Sequence, residues 1–146
     1  MNLNNVASDE RITKWRFLRD TLKLKSNEEC IELVVDFIST ITFSNRTIDY
    51  YTPSNWPTPW DILHNGLFCV NGISLLAYHT LKLANVNNVE MILIEFAGDV
   101  FLLPLLDDKY LINFTPGSLK LLSDFEKDER FRVLNFFAEE KIKQIV

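Results

Sequence analysis

Two amphipathic helices are predicted in the first 43 residues from the spacing of apolar positions. In the first, from about residue 8 to residue 24, apolar residues recur three or four positions apart, and charged residues occupy the other faces and are expected to contact solvent. Its apolar stripe is Ile12, Trp15, Leu18 and Leu22. A capping box of Ser26 and Glu29 predicts that a second helix begins there and runs to about Thr40.

The most apolar helix of the chain is predicted for residues 69–84. Its residues are apolar on nearly every face, and a helix of this kind is usually buried. A shorter helix precedes it, beginning at Thr58-Pro59, which is a favourable helix start, and ending at the turn His64-Asn65-Gly66. We therefore expect residues 69–84 to form the central helix, with Cys69 at its start.

The hydrophobic period changes to that of β-strands after residue 88. Three strands are predicted at 89–96, 99–106 and 109–114, and Pro104 predicts a bulge or an edge in the second. Residues 118–146 are predicted to form two helical pieces. Their apolar face is Phe131, Leu134, Phe137, Ile142 and Ile145. The predicted fold class is α+β, with N-terminal helices, a buried central helix, a three-stranded antiparallel meander and C-terminal helices.

Length and composition favour a single domain over residues 1–146, of which 47% are hydrophobic and 24% charged. Its expected parts are an N-terminal helical part (1–43), an aromatic and proline-rich loop (44–60), the central helix with the sheet (61–117) and a C-terminal helical part (118–146). No secretory signal and no membrane-spanning stretch are recognisable, so we expect a cytoplasmic protein, or a viral one made in the cytoplasm.

Charge and residue spacing exclude several classes of function. The net charge is −5 and the basic residues are scattered, which argues against a nucleic-acid-binding protein. His, Cys and carboxylate residues show no metal-ligand spacing, and the four glycines show no phosphate-binding spacing. We therefore expect no metal site and no cofactor.

Cys69 is the candidate nucleophile of the chain. The free N–H groups and the dipole at a helix start favour the thiolate, which is the reactive form of cysteine. Cys30 also lies in the first turn of a predicted helix. Its acidic neighbours Glu28, Glu29 and Glu32 oppose a thiolate, so we interpret Cys30 as structural.

Residues 56–117 place a cysteine at the start of a helix and follow it with three antiparallel strands. This order resembles the transglutaminase-like branch of the papain-type cysteine fold. The resemblance implies that Cys69 is the nucleophile, that the family's His falls on Asp99 and that its acid falls on Asn113. Trp56 and Trp60 are the candidates for the upstream tryptophan that helps to build the oxyanion site. The segment TPWDIL followed by Phe-Cys is also similar to uncharacterised small proteins of tailed bacteriophages.

The chain departs from that family at the base. An aspartate such as Asp99 is an anion at neutral pH, so it cannot return a proton to a leaving group as His does, and beside Cys69 it would oppose the thiolate. Asn113 could orient a His but has none to orient. His79 follows Cys69 by ten residues, or ~15 Å along a helix. His64 precedes Cys69 by five residues and is the remaining candidate base.

Three functions are consistent with these residues. The first is a non-catalytic transglutaminase-like domain that acts as a structural or interaction protein, such as a bacteriophage virion or accessory component, with an unidentified protein partner and no binding to nucleic acid or membrane. The second is an active cysteine peptidase or acyltransferase that uses Cys69 and His64. The third is a binding module of the 44–60 loop. Its candidate anchors are Tyr50, Tyr51, Trp56 and Trp60, for which packing over the central helix is the alternative. The missing His favours the first function, and oligomerisation stays open.

Overall fold

The computed structural model describes residues 3–43, 52–137, 139 and 142. The helices are α1 (Ser8–Leu22), α2 (Asn27–Ser39), α3 (Pro59–Asn65), α4 (Val70–Leu83) and α5 (Leu122–Glu126), with short 3-10 turns at Leu3–Asn5 and Pro53–Asn55. The strands are β1 (Val89–Phe96), β2 (Asp99–Leu106), β3 (Tyr110–Ile112), β4 (Leu119–Leu121) and β5 (Phe131–Phe137). The fold class is therefore α+β, as predicted.

The five strands form one sheet in the order β4-β3-β2-β1-β5, and every neighbouring pair is antiparallel. The predicted meander β1-β2-β3 is its centre. β2 keeps an unbroken register against β1, so Pro104 makes no bulge, and the edge predicted there is a local one on the side of β2 toward β3. The ladder between β2 and β3 is short, pairing only Leu105 with Leu111 and Leu106 with Tyr110. Pro104, which has no N–H to donate, is the first β2 residue beyond that ladder.

The helix α4 is the buried centre of the molecule. Every residue from Gly72 to Leu81 is buried, and α4 contacts α2 and α3 on one side and β1 and β2 on the other. A helix that is apolar on nearly every face has to be covered on all sides by other elements, and α4 is covered by helices on one side and by the sheet on the other. Cys69, the residue before Val70, is the N-cap of α4, as predicted.

The sheet is apolar on both faces because each face is covered. The face toward α4 carries Met91, Leu93, Leu102, Leu106 and Ile112. The other face carries Ile92, Ile94, Leu103, Leu105 and Leu111, against which α5 and several phenylalanines pack. Strands buried on both faces lose the usual polar alternation, and this explains the nearly continuous apolar runs of β1 and β2.

The C-terminal part differs from its prediction. Among the described residues of this part, the α-helix is Leu122–Glu126, whereas Leu119–Leu121 and Phe131–Phe137 are strands. The sequence of β5, FRVLNFF, spaces Phe131, Leu134 and Phe137 like a helical stripe. However, aromatic and branched residues also suit a strand, and β1 offers a free edge for pairing. Ile145 lies outside the described residues, and the single-domain organisation stays a prediction.

None of the helices in the described part of the chain is both long enough and apolar enough to cross a membrane.

Candidate functional site at the start of the central helix

A tight turn between α3 and α4 delivers Cys69 to the start of α4. The helix α3 ends at Gly66, which has the left-handed conformation (φ 65°, ψ 41°). The N–H of Leu67 then donates to the carbonyl of Ile62 at 3.0 Å, and the N–H of Phe68 to that of Gly66 at 2.8 Å. Glycine adopts this conformation without the steric cost of a Cβ, so Gly66 is the local reason for the turn.

Cys69 uses its side chain as the cap of α4. Its sulfur accepts a hydrogen bond from the N–H of Gly72 at 3.3 Å, and its carbonyl accepts one from Ile73 at 3.0 Å. The residue is 9% exposed. The sulfur therefore lies at the positive end of the helix dipole, where a thiolate is stabilised and where Ser, Thr, Asp or Asn more often supplies the cap.

Arg11 of α1 holds this turn from outside. Its guanidinium donates to the carbonyl oxygens of Leu63, His64 and Val6, and it lies 5.6 Å from the ring centre of Phe68. Two of these acceptors are carbonyls at the C-terminal end of α3, where a cation is favourable. From the sequence, the charged residues of α1, Arg11 among them, were expected to contact solvent. The periodicity of α1 shows which face is apolar, but it does not show which distant carbonyl oxygens an arginine contacts.

Asn113 ties the first turns of α4 to the sheet. It is 1% exposed, with a left-handed φ of 72°. Its Nδ2 donates to the carbonyl of Val70 at 3.3 Å and to Oγ of Ser74 at 3.0 Å, and its Oδ1 accepts from the N–H of Gly117 at 3.0 Å. Asn113 therefore lies beside the Cys69 end of α4, but its amide is used on the helix and on its own loop. Nothing in the sequence pattern indicates that Ser74 accepts this hydrogen bond.

Asp99 lies on the other face of the sheet. It is exposed and pairs directly with Phe96 across the β1-β2 hairpin. The ring of Phe96 contacts Phe114 and Phe125 on the face away from α4. Directly opposed residues of an antiparallel pair share a face, so Asp99 is directed away from α4 as well. The next residue, Val100, packs on the α4 side and carries no acid or base.

Neither histidine is placed as a partner of Cys69. His64 is exposed in the last turn of α3, and its ring makes no hydrogen bond with the Cys69 thiol. His79 is 4% exposed inside α4, where its Nε2 has no hydrogen-bond partner among the described residues and burial lowers its pKa to about 4. At ten residues from Cys69 it is ~15 Å away along the helix.

The aromatic anchors proposed for the 44–60 loop are only partly described. Trp56 is 0% exposed and meets Phe137 with ring centres 4.8 Å apart, so it is a core residue. Trp60 is half-buried and packs edge-on against Trp15 at 5.2 Å. Both tryptophans pack against other rings of the protein, which agrees with core packing, the alternative to a binding role for this cluster. Tyr50 and Tyr51 lie outside the described residues.

The described residues contain no group of three or more His, Cys, Asp or Glu side chains arranged to hold a metal ion. No protein-family model matches the sequence, and no curated protein matches it.

Solved structures of LapG from Legionella pneumophila share the fold. The calcium-bound form aligns with a TM-score of 0.73 over 93% of this chain and 78% of LapG, at 15% sequence identity. Two further LapG structures, one of them EGTA-treated, give TM-scores of 0.71 and 0.70, also at 15% identity. These neighbours support the transglutaminase-like fold that residues 56–117 resemble. The bacteriophage resemblance gains no support from the comparisons and stays a prediction.

Proposed function

We propose that this chain is a transglutaminase-like domain that acts as a structural or interaction protein, without acyl transfer at Cys69. The observation that carries the proposal is the missing base. The strand residue that packs toward α4 is Val100, Asp99 is on the opposite face, and neither histidine forms a hydrogen bond with the thiol.

Acyl transfer by a thiol needs a group that takes the thiol proton and returns it to the leaving group. Such a group must lie within hydrogen-bond reach of the proton, and its positioning typically contributes 10²–10⁴-fold to the rate. Cys69 has a structural use without this chemistry, since its sulfur accepts the N–H of Gly72 as a helix cap.

The test compares wild-type protein with Cys69→Ser in an amine-incorporation assay. Serine keeps an acceptor for the cap and removes the thiol, so the two proteins should have the same fold. We expect no transfer above the level of the variant, although iodoacetamide should still alkylate the wild-type thiol. Transfer by the wild type that is abolished in Cys69→Ser would overturn the proposal.

A cysteine peptidase or acyltransferase with Cys69 as its nucleophile is the second candidate. The similarity in fold to LapG favours this candidate, as does the thiol at the N-terminal end of a buried helix next to Asn113. His64 is then the base, and its exposed ring has to turn toward the sulfur when substrate binds. Peptide cleavage that is lost in both Cys69→Ser and His64→Gln would establish this candidate. Cleavage that is lost only in Cys69→Ser would exclude His64 as the base.

The partner and the location belong to the proposal as well. A protein partner follows from a role in structure or interaction, and a cytoplasmic or virion location follows from the sequence expectation. Cross-linking of the intact protein in its native host, followed by identification of the linked chain, would identify the partner. Recovery of the protein only as an uncomplexed monomer would argue against this role.

A further inference from the structure

A polar cavity of about 350 Å³ lies at the opposite end of α4 from Cys69. Among the side chains that line it are Tyr78, Lys82, Glu90, Asp108 and Glu139. Tyr78 follows Cys69 by nine residues, or ~13 Å along the helix, so this cavity is separate from the candidate site described above. Its titratable groups come from α4, from β1, from the turn after β2 and from the segment after β5.

Two carboxyl groups, those of Glu90 and Asp108, line this cavity, and no described Lys or Arg forms an ion pair with either of them. The pKa of Glu90 is raised, first by burial and then by the hydrogen bond and the charge of Asp108. Lys82 is the basic side chain of the cavity, and it forms its ion pair with Glu139 at 3.3 Å. The negative end of the α4 dipole lies nearby and adds to the negative potential.

The phenol of Tyr78 supplies an independent indication of a ligand. Tyr78 is 2% exposed and lines the cavity, yet its hydroxyl makes no hydrogen bond with any described residue. Among the described residues, the enclosed polar side-chain atom without a partner is Nε2 of His79, so the Tyr78 hydroxyl reaches the open space of the cavity and can bond to a molecule there. Burial, with the charges of Glu139 and Glu90, raises the pKa of Tyr78 to about 12, so the hydroxyl is neutral and can accept a hydrogen bond at physiological pH.

We propose that this cavity binds an organic cation through a primary ammonium group, which donates hydrogen bonds to the carboxylates of Glu90 and Asp108 and to the hydroxyl of Tyr78. An ammonium group has three N–H donors, and these three side chains offer an acceptor for each. The described residues provide no group of three carboxylate, His or Cys ligands for a metal ion, so an ammonium fits this cavity better. The cavity also has room for the carbon chain attached to the ammonium.

The first experiment titrates the protein with 1,4-diaminobutane at low ionic strength by calorimetry. We expect saturable binding that weakens with added salt. Matched controls are 1,4-butanediol, which has the same length without charge, and tetramethylammonium, which has the charge without N–H donors. Neither control should bind comparably. Binding of tetramethylammonium equal to that of the diamine would overturn the proposal, as would a protein that binds neither the diamine nor the lysine peptide described below.

The second experiment uses Glu90→Gln and Tyr78→Phe, with the exposed Glu126→Gln as the charge-matched control. Glu90→Gln should weaken diamine binding at least about tenfold, because the amide keeps an acceptor oxygen but removes the negative charge that strengthens the hydrogen bond to the ammonium. The same variant should unfold at a higher temperature without ligand, because the repulsion by Asp108 is removed. Tyr78→Phe should weaken binding several-fold and Glu126→Gln should leave it unchanged. A Glu90→Gln variant that binds normally would refute the site.

A lysine side chain and a free amine carry the same ammonium group, and a third titration separates these sources. A peptide with one central lysine is compared with the same peptide carrying norleucine. Tighter binding of the lysine peptide than of the diamine supports the proposal with a protein as the source, whereas the reverse order supports a free amine. Equal binding of the two peptides, together with no diamine binding, would contradict both.

Discussion

The thiol of Cys69 acts as a helix cap, and substitution can separate this role from its chemistry. We expect Cys69→Ala to lower the free energy of unfolding by about 1 kcal/mol, because the N–H of Gly72 loses its acceptor. Cys69→Ser should keep or improve the stability, since serine is a preferred N-cap. Urea unfolding of the two variants checks this. Equal stability of both variants would show that the Gly72 contact contributes nothing.

His79 should make the stability depend on pH. Its folded-state pKa of about 4 lies below the unfolded value of 6.5, because burial opposes the charged ring. Between these values the unfolded chain binds more protons than the folded one, so stability is complete above pH 6.5 and falls as the pH drops toward 4. The difference corresponds to about 3 kcal/mol.

The measurement for His79 is the free energy of unfolding against pH for wild type, His79→Gln and His64→Gln. His79→Gln should lose the part of the slope between pH 6.5 and 4, whatever the carboxylates contribute. His64→Gln replaces the exposed histidine at the end of α3 and is the matched control for removing an imidazole. An unchanged slope in His79→Gln would mean that the folded state accepts a charged ring at this position.

Single residues also show why only part of the site could be predicted. Order along the chain was enough to place Cys69 at the helix start and Asn113 at the end of the third strand. It was not enough to decide whether Asp99 or Val100 lies on the side of the sheet toward α4, because adjacent strand residues point to opposite faces and the face depends on a register that order alone does not give. The contact of Arg11 with the end of α3 was missed because the two carbonyls it reaches there, those of Leu63 and His64, are more than 50 residues away.

At the scale of elements, the loop after β3 holds α4 against both the sheet and α2. Gly117 has φ +67°, and a Cβ added there would lie 2.5 Å from both Cα and Cβ of Ser39 at the end of α2. Gly98 has φ +88° and nothing within 4 Å of an added Cβ. An alanine at either position would have the same strained left-handed backbone. Only an alanine at position 117 would also clash with Ser39.

We expect Gly98→Ala to cost about 1 kcal/mol of stability, which is the conformational term alone. Gly117→Ala should cost clearly more, because the backbone of α2 or of the loop must move. Chemical unfolding of both variants measures the difference. If the two alanines cost the same, the loop can move away from Ser39 freely and does not fix α4.

The local pattern of apolar and capping residues was sufficient to predict several of the helices and strands. The helices α1, α2 and α4 and the strands β1 and β2 were predicted close to their observed bounds, because periodicity and capping residues define them. For β5, local pattern was insufficient. Its Phe131, Leu134 and Phe137 satisfy a helical stripe, and only the free edge of β1, about 40 residues earlier along the chain, selects the strand. Leu134 also lies at the bulge of that pairing, so no strict alternation marks it.

At the scale of the whole molecule, the fold of LapG is present although the residue facing α4 at the start of β2 is an aliphatic one. A histidine introduced there tests whether the scaffold can still support thiol chemistry. We expect Val100→His to raise the rate of Cys69 alkylation by iodoacetamide at pH 7, because an imidazole on the α4 side can accept the thiol proton.

Asp99→His is the matched control, since it places the same imidazole one residue earlier and on the opposite face. Its alkylation rate should equal that of wild type, and both variants should be compared at equal folded fraction, measured by circular dichroism. If Asp99→His is the faster variant, the strand register near Cys69 differs from the one described, and the catalytic candidate gains support. Equal rates in all three proteins would mean that an imidazole at the start of β2 lies out of reach of the thiol.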